Sequence, residues 1–219
     1  DGPKRIIETT LDAMCSGGMY DHIGGGFARY STDREWLVPH FEKMLYDQAL
    51  LLGIYVKGLI VLGRPDWRLV IEETIDYVLT ELRHPDGGFY SAQDADSPDP
   101  DGNTVEGWFN TWTPDEVRAA LPDVETAVVE SLIDWYGITE EGNFEGRSIP
   151  NRLGHRGQLR RPPIIEEARR RLLAARDRRP RPGLDAKVLT EWNALFLESL
   201  ADAAAVFHRT DWAEAAVAN

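Results

Sequence analysis

Apolar residues recur at helical spacing through most of the chain. Ile6, Ile7, Leu11 and Met14 share one face of a predicted helix over Pro3–Met14, which the Gly17-Gly18 pair stops. A long, strongly apolar run predicts a helix over Phe41–Leu62. Val70, Ile71, Ile75, Val78 and Leu82 place another over Trp67–Leu82, closed by Pro85 and Gly87. Thr113-Pro114-Asp115-Glu116 reads as a capping box with proline at the first helical position, so a helix starts there. Further helices are predicted over Val124–Trp135, Ile164–Arg178 and Lys187–His208, and from Trp212 onward. Strand signals are confined to short pieces, Gly88–Ser91 and Trp108–Trp112.

Between these helices lie ornate loops with a shared grammar. Gly17-Gly18-Met19-Tyr20, Gly87-Gly88-Phe89-Tyr90 and Gly142-Asn143-Phe144-Glu145-Gly146 each follow a helix with glycines, an aromatic and nearby acids. A series of helical hairpins with such loops on one side predicts an all-α fold. The form expected is an (α/α)6-type toroid, incomplete here, with short β-hairpin pieces in the loops. Residues 1–219 read as part of one such domain. A bundle would keep its connections shorter. An incomplete ring exposes apolar helix faces, so self-association or a mobile C-terminal end is expected.

Composition narrows the function classes. The 219 residues carry 24 Lys and Arg against 37 Asp and Glu, a net charge of −13. No basic stripe could neutralise phosphates, which argues against a nucleic-acid partner. The arginines between Arg152 and Arg181 read as a solvated helix with flanking loops. Cys15 is alone, so it has no disulfide or CxxC partner and reads as a buried structural thiol. The apolar stretch Ala49–Leu62, broken by Lys57, reads as too short for a membrane span. The sequence opens at Asp1-Gly2-Pro3 without Met and closes at Asn219 inside a helical pattern, so a fragment of a longer, cytoplasmic protein is expected.

The run from Gly17 to Ala49 is where chemistry concentrates, with His22, His40, Asp21, Asp33, Glu35 and Glu42 among five glycines. Such a stretch builds a core poorly and lines a pocket well. Gly24-Gly25-Gly26 is not a phosphate loop, because no Lys-Ser/Thr follows, and Arg29 stands where a dinucleotide fingerprint needs its last glycine. It reads as a tight turn. The loop Gln93-Asp94-Ala95-Asp96-Ser97, with Glu106 beyond, offers paired carboxylates. Counting from Asp94 puts Asp at the sixth position and Val at the twelfth, which excludes an EF-hand. No metal site or cofactor is expected.

The segments YDHIGGGFARYSTDREWLVPHFEKMLYDQALL, GGFYSAQDADS, EGWFNTWTPDEV, WYGITEEGNFEG and LDAKVLTEWNALFLESLADA carry a resemblance, over roughly residues 3 to 208. In that order they resemble the α/α-barrel part of the thioredoxin-domain-containing, spermatogenesis-associated proteins and their YyaL-type bacterial relatives. The resemblance implies a six-hairpin toroid related to N-acylglucosamine 2-epimerases and six-hairpin glycosidases. It also implies an N-terminal thioredoxin-like domain as partner in the full-length protein, and more toroid beyond this chain. Ala186 replaces a common second acid, Ala194 a usual glycine, and Pro98–Thr104 is inserted after the DADS block.

Two histidines near neutral pKa suit an acid and a base on either side of a sugar carbon. Toroid epimerases related by the resemblance are thought to use such a pair. His22, His40, Asp94 and Asp96 are therefore the catalytic candidates. Tyr20, Arg29, Trp36, Glu42, Asp47, Tyr90, Glu106, Lys187, Trp192 and Asn193 are the candidates for binding a small, sugar-like ligand, since sugars stack on aromatic rings and bond at polar rims. Each also has a plainer reading, as a core ring, a loop cap or, for Asp185 nearby, a helix cap. Lys187 is expected to pair with an acid from Asp94–Asp96 or Glu42–Asp47. His84, His155 and His208 read as structural. The expectation is a carbohydrate-processing or carbohydrate-binding toroid. Its chemistry, if any, would be epimerisation or isomerisation first and hydrolysis second. The alternative is a non-enzymatic scaffold or client-binding platform serving a redox domain.

Overall fold

The structure, a computed structural model, describes residues 2–219. It is mostly α-helical. The helices are α1 (Gly2–Ser16), α2 (Leu45–Leu62), α3 (Arg68–Glu81), α4 (Pro114–Ala120), α5 (Thr126–Trp135), α6 (Pro163–Arg176), α7 (Thr190–Phe207) and α8 (Thr210–Ala218). A 3-10 turn, Pro65–Trp67, leads into α3 and buries Trp67.

The helices begin and end where local chemistry dictates. At α4 the Thr113 hydroxyl accepts from Glu116 N–H at 3.2 Å, and the Glu116 carboxylate accepts from Thr113 N–H at 3.0 Å, completing the box. Gly63 closes α2 at φ +66°, a conformation that glycine adopts without strain.

Two main apolar cores result, beside a small cluster of Phe41, Ala95 and Ile149. In the larger, α2 packs along α7 and against α3, burying Leu45, Leu52, Tyr55, Ile75 and Phe196. Each such side chain contributes roughly 1.5–3 kcal/mol by leaving water. The smaller core joins α4, α5 and α6 through Val117, Leu132, Ile165 and Leu172. Leu45–Leu62 is long and apolar enough to cross a membrane by length and composition, longer than the stretch read from sequence. Its buried Leu45, Ala49, Leu52 and Val56 give it a second explanation, the central helix of the larger core. Leu50, Ile54 and Val61 on its other side are exposed, as are Ile6 and Ile7 on α1.

Seven short strands tie the loops together at one end of the helices. β1 (Tyr30–Ser31) pairs antiparallel with β2 (Pro39–His40). β3 (Lys43–Met44), β4 (Ala92–Gln93) and β7 (Leu184–Asp185) form a three-stranded sheet in the order β3-β4-β7, with Lys43 opposite Gln93 and Ala92 opposite Asp185. β5 (Asp96–Pro98) pairs with β6 (Thr104–Glu106), setting Asp96 opposite Glu106. Because β3 runs directly into α2, and β7 precedes α7, the sheet draws the loops over the N-terminal ends of both helices.

Several sequence expectations need correction. Phe41–Met44 is extended, not helical, and its burial alternates strictly: Pro39, Phe41 and Lys43 inward, His40, Glu42 and Met44 partly outward. Lys187–Leu189 also lies outside the helix that follows it. Gly88–Ser91 and Trp108–Trp112 are not strands. Phe89 forms an isolated bridge with Arg83, Trp112 one with Ser148, and the neighbouring strand begins at Ala92. The arginine-rich segment is only partly a solvated face. Arg170 and Arg171 are exposed and pair with Glu167, but Arg152, Arg169 and Arg176 are buried.

Candidate functional site

The site is assembled on the outward side of the extended segment that ends in Met44. His40 lies opposite Tyr30 across the β1–β2 ladder, and their rings sit 5.3 Å apart. Asp33 fixes the connecting loop, its carboxylate accepting from the N–H groups of Glu35, Leu37 and Val38 at 2.7–3.1 Å. His40 Nδ1 is 2.7 Å from Glu106 Oε1, and Nε2 is 3.6 Å from Glu42 Oε2. Arg29 completes the cluster, donating to Glu42 at 3.1 Å and to the Tyr46 hydroxyl at 3.1 Å. Tyr46 meets Trp192 edge to face, with centroids 4.8 Å apart, so the first turns of α2 and α7 close the aromatic wall.

This cluster is open to a ligand. The side chains of Arg29, His40, Glu42 and Glu106 retain 41, 29, 27 and 42% of their exposure. With Glu106 accepting from Nδ1–H, Nε2 is the other ring nitrogen, and the Glu42 carboxylate stands beside it. Asp47 sits one turn below. Burial, reinforced by Glu42 and opposed by Arg29, pushes its carboxyl up to about 6, and its Oδ2 has no hydrogen-bond partner. Asp47, which feels the charges of both Arg29 and Glu42, thus stands beside the His40 cluster, behind its exposed face. Asp96, held opposite Glu106 by the β5–β6 register, flanks the same edge.

Other predicted residues lie elsewhere. His22 is buried, with Nε2 3.1 Å from Gly17 O and its ring between Tyr20 and Tyr136. Burial, with Arg161 adding to it, lowers its pKa to about 4 despite the Gly17 bond. Tyr20 is also in the core, bonded to Glu73. Trp36, at φ +69°, offers its carbonyl to Gly18 N–H at 2.9 Å. Tyr90 packs on the ring of His84. Asn193 is buried and occupied, accepting from Phe89 N–H at 2.8 Å and donating to Phe89 O at 3.0 Å. Lys187 pairs with Asp185 at 3.1 Å, not with the acids of either other loop. Asp94 is exposed and accepts from Asp96 N–H at 3.3 Å, an Asx turn repeated at Asp99 with Asp101 and Asn103. Among the described residues, no group of three or more His, Cys, Asp or Glu side chains is placed to hold a metal ion.

Sequence reasoning missed two groups. Tyr46 was hidden by reading the helix from Phe41 onward, which placed it in mid-helix. The second group lies behind the site, on the inward side of the same strand. Lys43 Nζ donates to Asp21 Oδ2 and to Gly25 O, both at 2.8 Å, and Arg176 Nη1 reaches both Asp21 oxygens at 2.9 and 2.8 Å. Asp21 Oδ1 also accepts from Ile23 and Gly24 N–H at 3.0 Å, which sets the turn that Gly25 and Gly26 continue at φ +76° and +77°. Burial alone would raise the Asp21 carboxyl, but Arg176 and Lys43 hold it well below the usual carboxylate range. Only the period-2 alternation over Pro39–Met44 could have signalled this, since it turns Lys43 inward.

No family model matches the chain. Among curated proteins it is 39% identical, over 93% of its length, to spermatogenesis-associated protein 20 of Homo sapiens. It is 37% identical over 90% to the protein of that name in Mus musculus, and 35% identical over 90% to an uncharacterized protein of Caenorhabditis elegans. The chain spans less than a third of these relatives, at 29, 28 and 31% of their lengths. Over the matched stretch, the chain is thus similar to proteins named spermatogenesis-associated protein 20.

Proposed function

We infer that this chain is a stretch of a spermatogenesis-associated protein 20 relative that carries a ligand site, at the loop-covered end of an α/α toroid. We propose that the site binds a small polyhydroxylated molecule of the sugar class. The observation that supports this best is His40 held between Glu106 and Glu42, beside Arg29 and under the Tyr30, Tyr46 and Trp192 rings. A sugar offers a C–H face for the rings and hydroxyls for the carboxylates and guanidinium. A carboxylate-oriented imidazole is suited to moving a proton at such a ligand. Epimerisation or isomerisation is the reaction class that uses it most directly.

His22 bears no part in this chemistry, since a buried neutral ring bonded to Gly17 O has no access to a ligand. The acid partner we assign instead is Asp47, whose raised carboxyl carries a proton closer to neutral pH than an ordinary aspartate. The test is binding of a sugar panel by ligand-observed NMR, with His40→Ala and Asp47→Asn beside the unaltered protein. One sugar class should bind, and His40→Ala should weaken it at least tenfold, the loss of about one charged hydrogen bond. Asp47→Asn should preserve binding and abolish turnover. If no sugar binds, the toroid is better read as a scaffold for a redox domain.

A further inference from the structure

Behind the His40 surface, Lys43 and Arg176, both paired with Asp21, line a cavity of 120 Å³. One water needs about 15 Å³ by the same measure, so the space suits a molecule of roughly five to eight non-hydrogen atoms. Its floor is made by the buried Lys43, Tyr77, Gln93 and Arg176, brought together because β3 sets Lys43 opposite Gln93 and α6 ends at Arg176. Its mouth is marked by the exposed Asp76, Thr80 and Asp177, with Glu81 beside them.

The hydrogen-bonding account of the floor does not close. Lys43 is spent on Asp21, on Gly25 O and on the face of Tyr77, 4.2 Å from its centroid. Arg176 gives Nη1 to Asp21, but its Nε–H is buried and has no partner. Gln93 accepts from the Tyr77 hydroxyl at 3.3 Å, and its amide N–H groups donate to nothing among the described residues. A buried guanidinium N–H left unpaired is costly. The floor therefore offers the Arg176 guanidinium and the Gln93 amide, in the field of two cations set against one carboxylate.

The mouth has the opposite character. Asp76, Glu81 and Asp177 face it, and among the described residues Arg181 is the cation paired there, with Glu81 and with Asp177 at 3.2 Å. Burial raises the Asp76 carboxyl even with Arg209 nearby, and a cation beside it would reverse that. A simple anion fits the floor and is repelled at the mouth, and a simple cation the reverse. A molecule with an anionic head and a cationic group two or three bonds away satisfies both.

We propose that this cavity binds a small zwitterion, an α-amino acid between glycine and serine in size. Its carboxylate takes the Arg176 guanidinium and the Gln93 amide, and its ammonium faces Asp76 and Asp177. The proposal is independent of the reading of the His40 surface. Glycine, alanine and serine, with acetate and methylammonium as separated halves, are titrated into the protein at millimolar concentration and followed by calorimetry and ligand-observed NMR. The amino acids should bind, the halves should bind at least tenfold more weakly, and a bulky amino acid such as tryptophan should be excluded. Asp76→Asn should weaken glycine about tenfold with an unchanged urea midpoint, and Gln93→Leu should weaken glycine and acetate alike. His40→Ala should leave all of this unaltered. Acetate binding as tightly as glycine, glycine binding that survives Asp76→Asn, sensitivity to His40→Ala, or no binding by any probe would each overturn it.

Discussion

Protonation of His22 gives a quantitative test of how the loop over α1 is packed. Its ring is 2% exposed, donates from Nε2 to Gly17 O, and lies against Tyr20 and Tyr136. A charge there would lose water and face Arg161 and Arg152, which is why the pKa falls from 6.5 to about 4. The folded state thus prefers the neutral ring, and the unfolded chain takes up the proton first as pH drops. The stability that His22 confers is complete above about pH 6.5 and is lost as pH falls through the window from 6.5 to 4. Between pH 7 and pH 5 the linkage amounts to about 2 kcal/mol, and its limit below pH 4 is about 3 kcal/mol. Asp47, with its raised carboxyl, acts in the opposite sense over the same range. The informative quantity is therefore the gap between the unaltered protein and His22→Asn, in which Asp47 cancels. Urea unfolding followed by tryptophan fluorescence at pH 7 and pH 5 measures that gap. It should narrow by about 2 kcal/mol at pH 5. A gap that stays constant within about 0.5 kcal/mol would mean that His22 titrates like a solvated imidazole, and the packing argument would fail.

Three further outcomes follow from named contacts. Asp21→Asn leaves Lys43 and Arg176 buried without their counter-charge and should cost about 3–5 kcal/mol, whereas Arg118→Ala, on an exposed network with Asp115, Glu130 and Glu140, should leave the urea midpoint nearly unchanged in the same assay. Thr113→Ala removes the box at α4 and should cost about 1 kcal/mol, with Thr113→Ser restoring most of it. Cys15 is fully buried and its thiol is pushed up to about 12, chiefly by burial, so a thiol reagent should leave it unmodified in the folded protein and label it in denaturant. Rapid labelling without denaturant would show that α1 detaches from the core.

Most helices were legible from a 3.6-residue apolar period, α2 from its apolar run and α4 from the box at Thr113, and the glycines after Ser16 and Leu62 punctuate them. The loop strands were not, because two- and three-residue strands carry too few positions for a period to register. Phe41–Met44 shows the consequence. Its residues are good helix formers beside an apolar run, yet pairing with Ala92 and Gln93 holds the segment extended. That one error hid Lys43 and Tyr46. For the candidate site, residue types in the Gly17–Ala49 loop pointed to Arg29, His40 and Glu42, and the acidic loop to Glu106. Composition could not separate His22 from His40, since burial is set by tertiary packing. Nor could it show that Arg176, within a charged stretch of α6, turns inward to Asp21.

The central claim is that the His40 surface receives a sugar-like ligand. Ligand-observed NMR of a sugar panel against the full-length protein, with and without His40→Ala, tests it most directly. The account predicts saturation transfer to one class of sugar that collapses in His40→Ala while the urea midpoint holds. Equal transfer in both proteins, or none to any sugar, would contradict it and leave His40 as a loop residue bonded to Glu106.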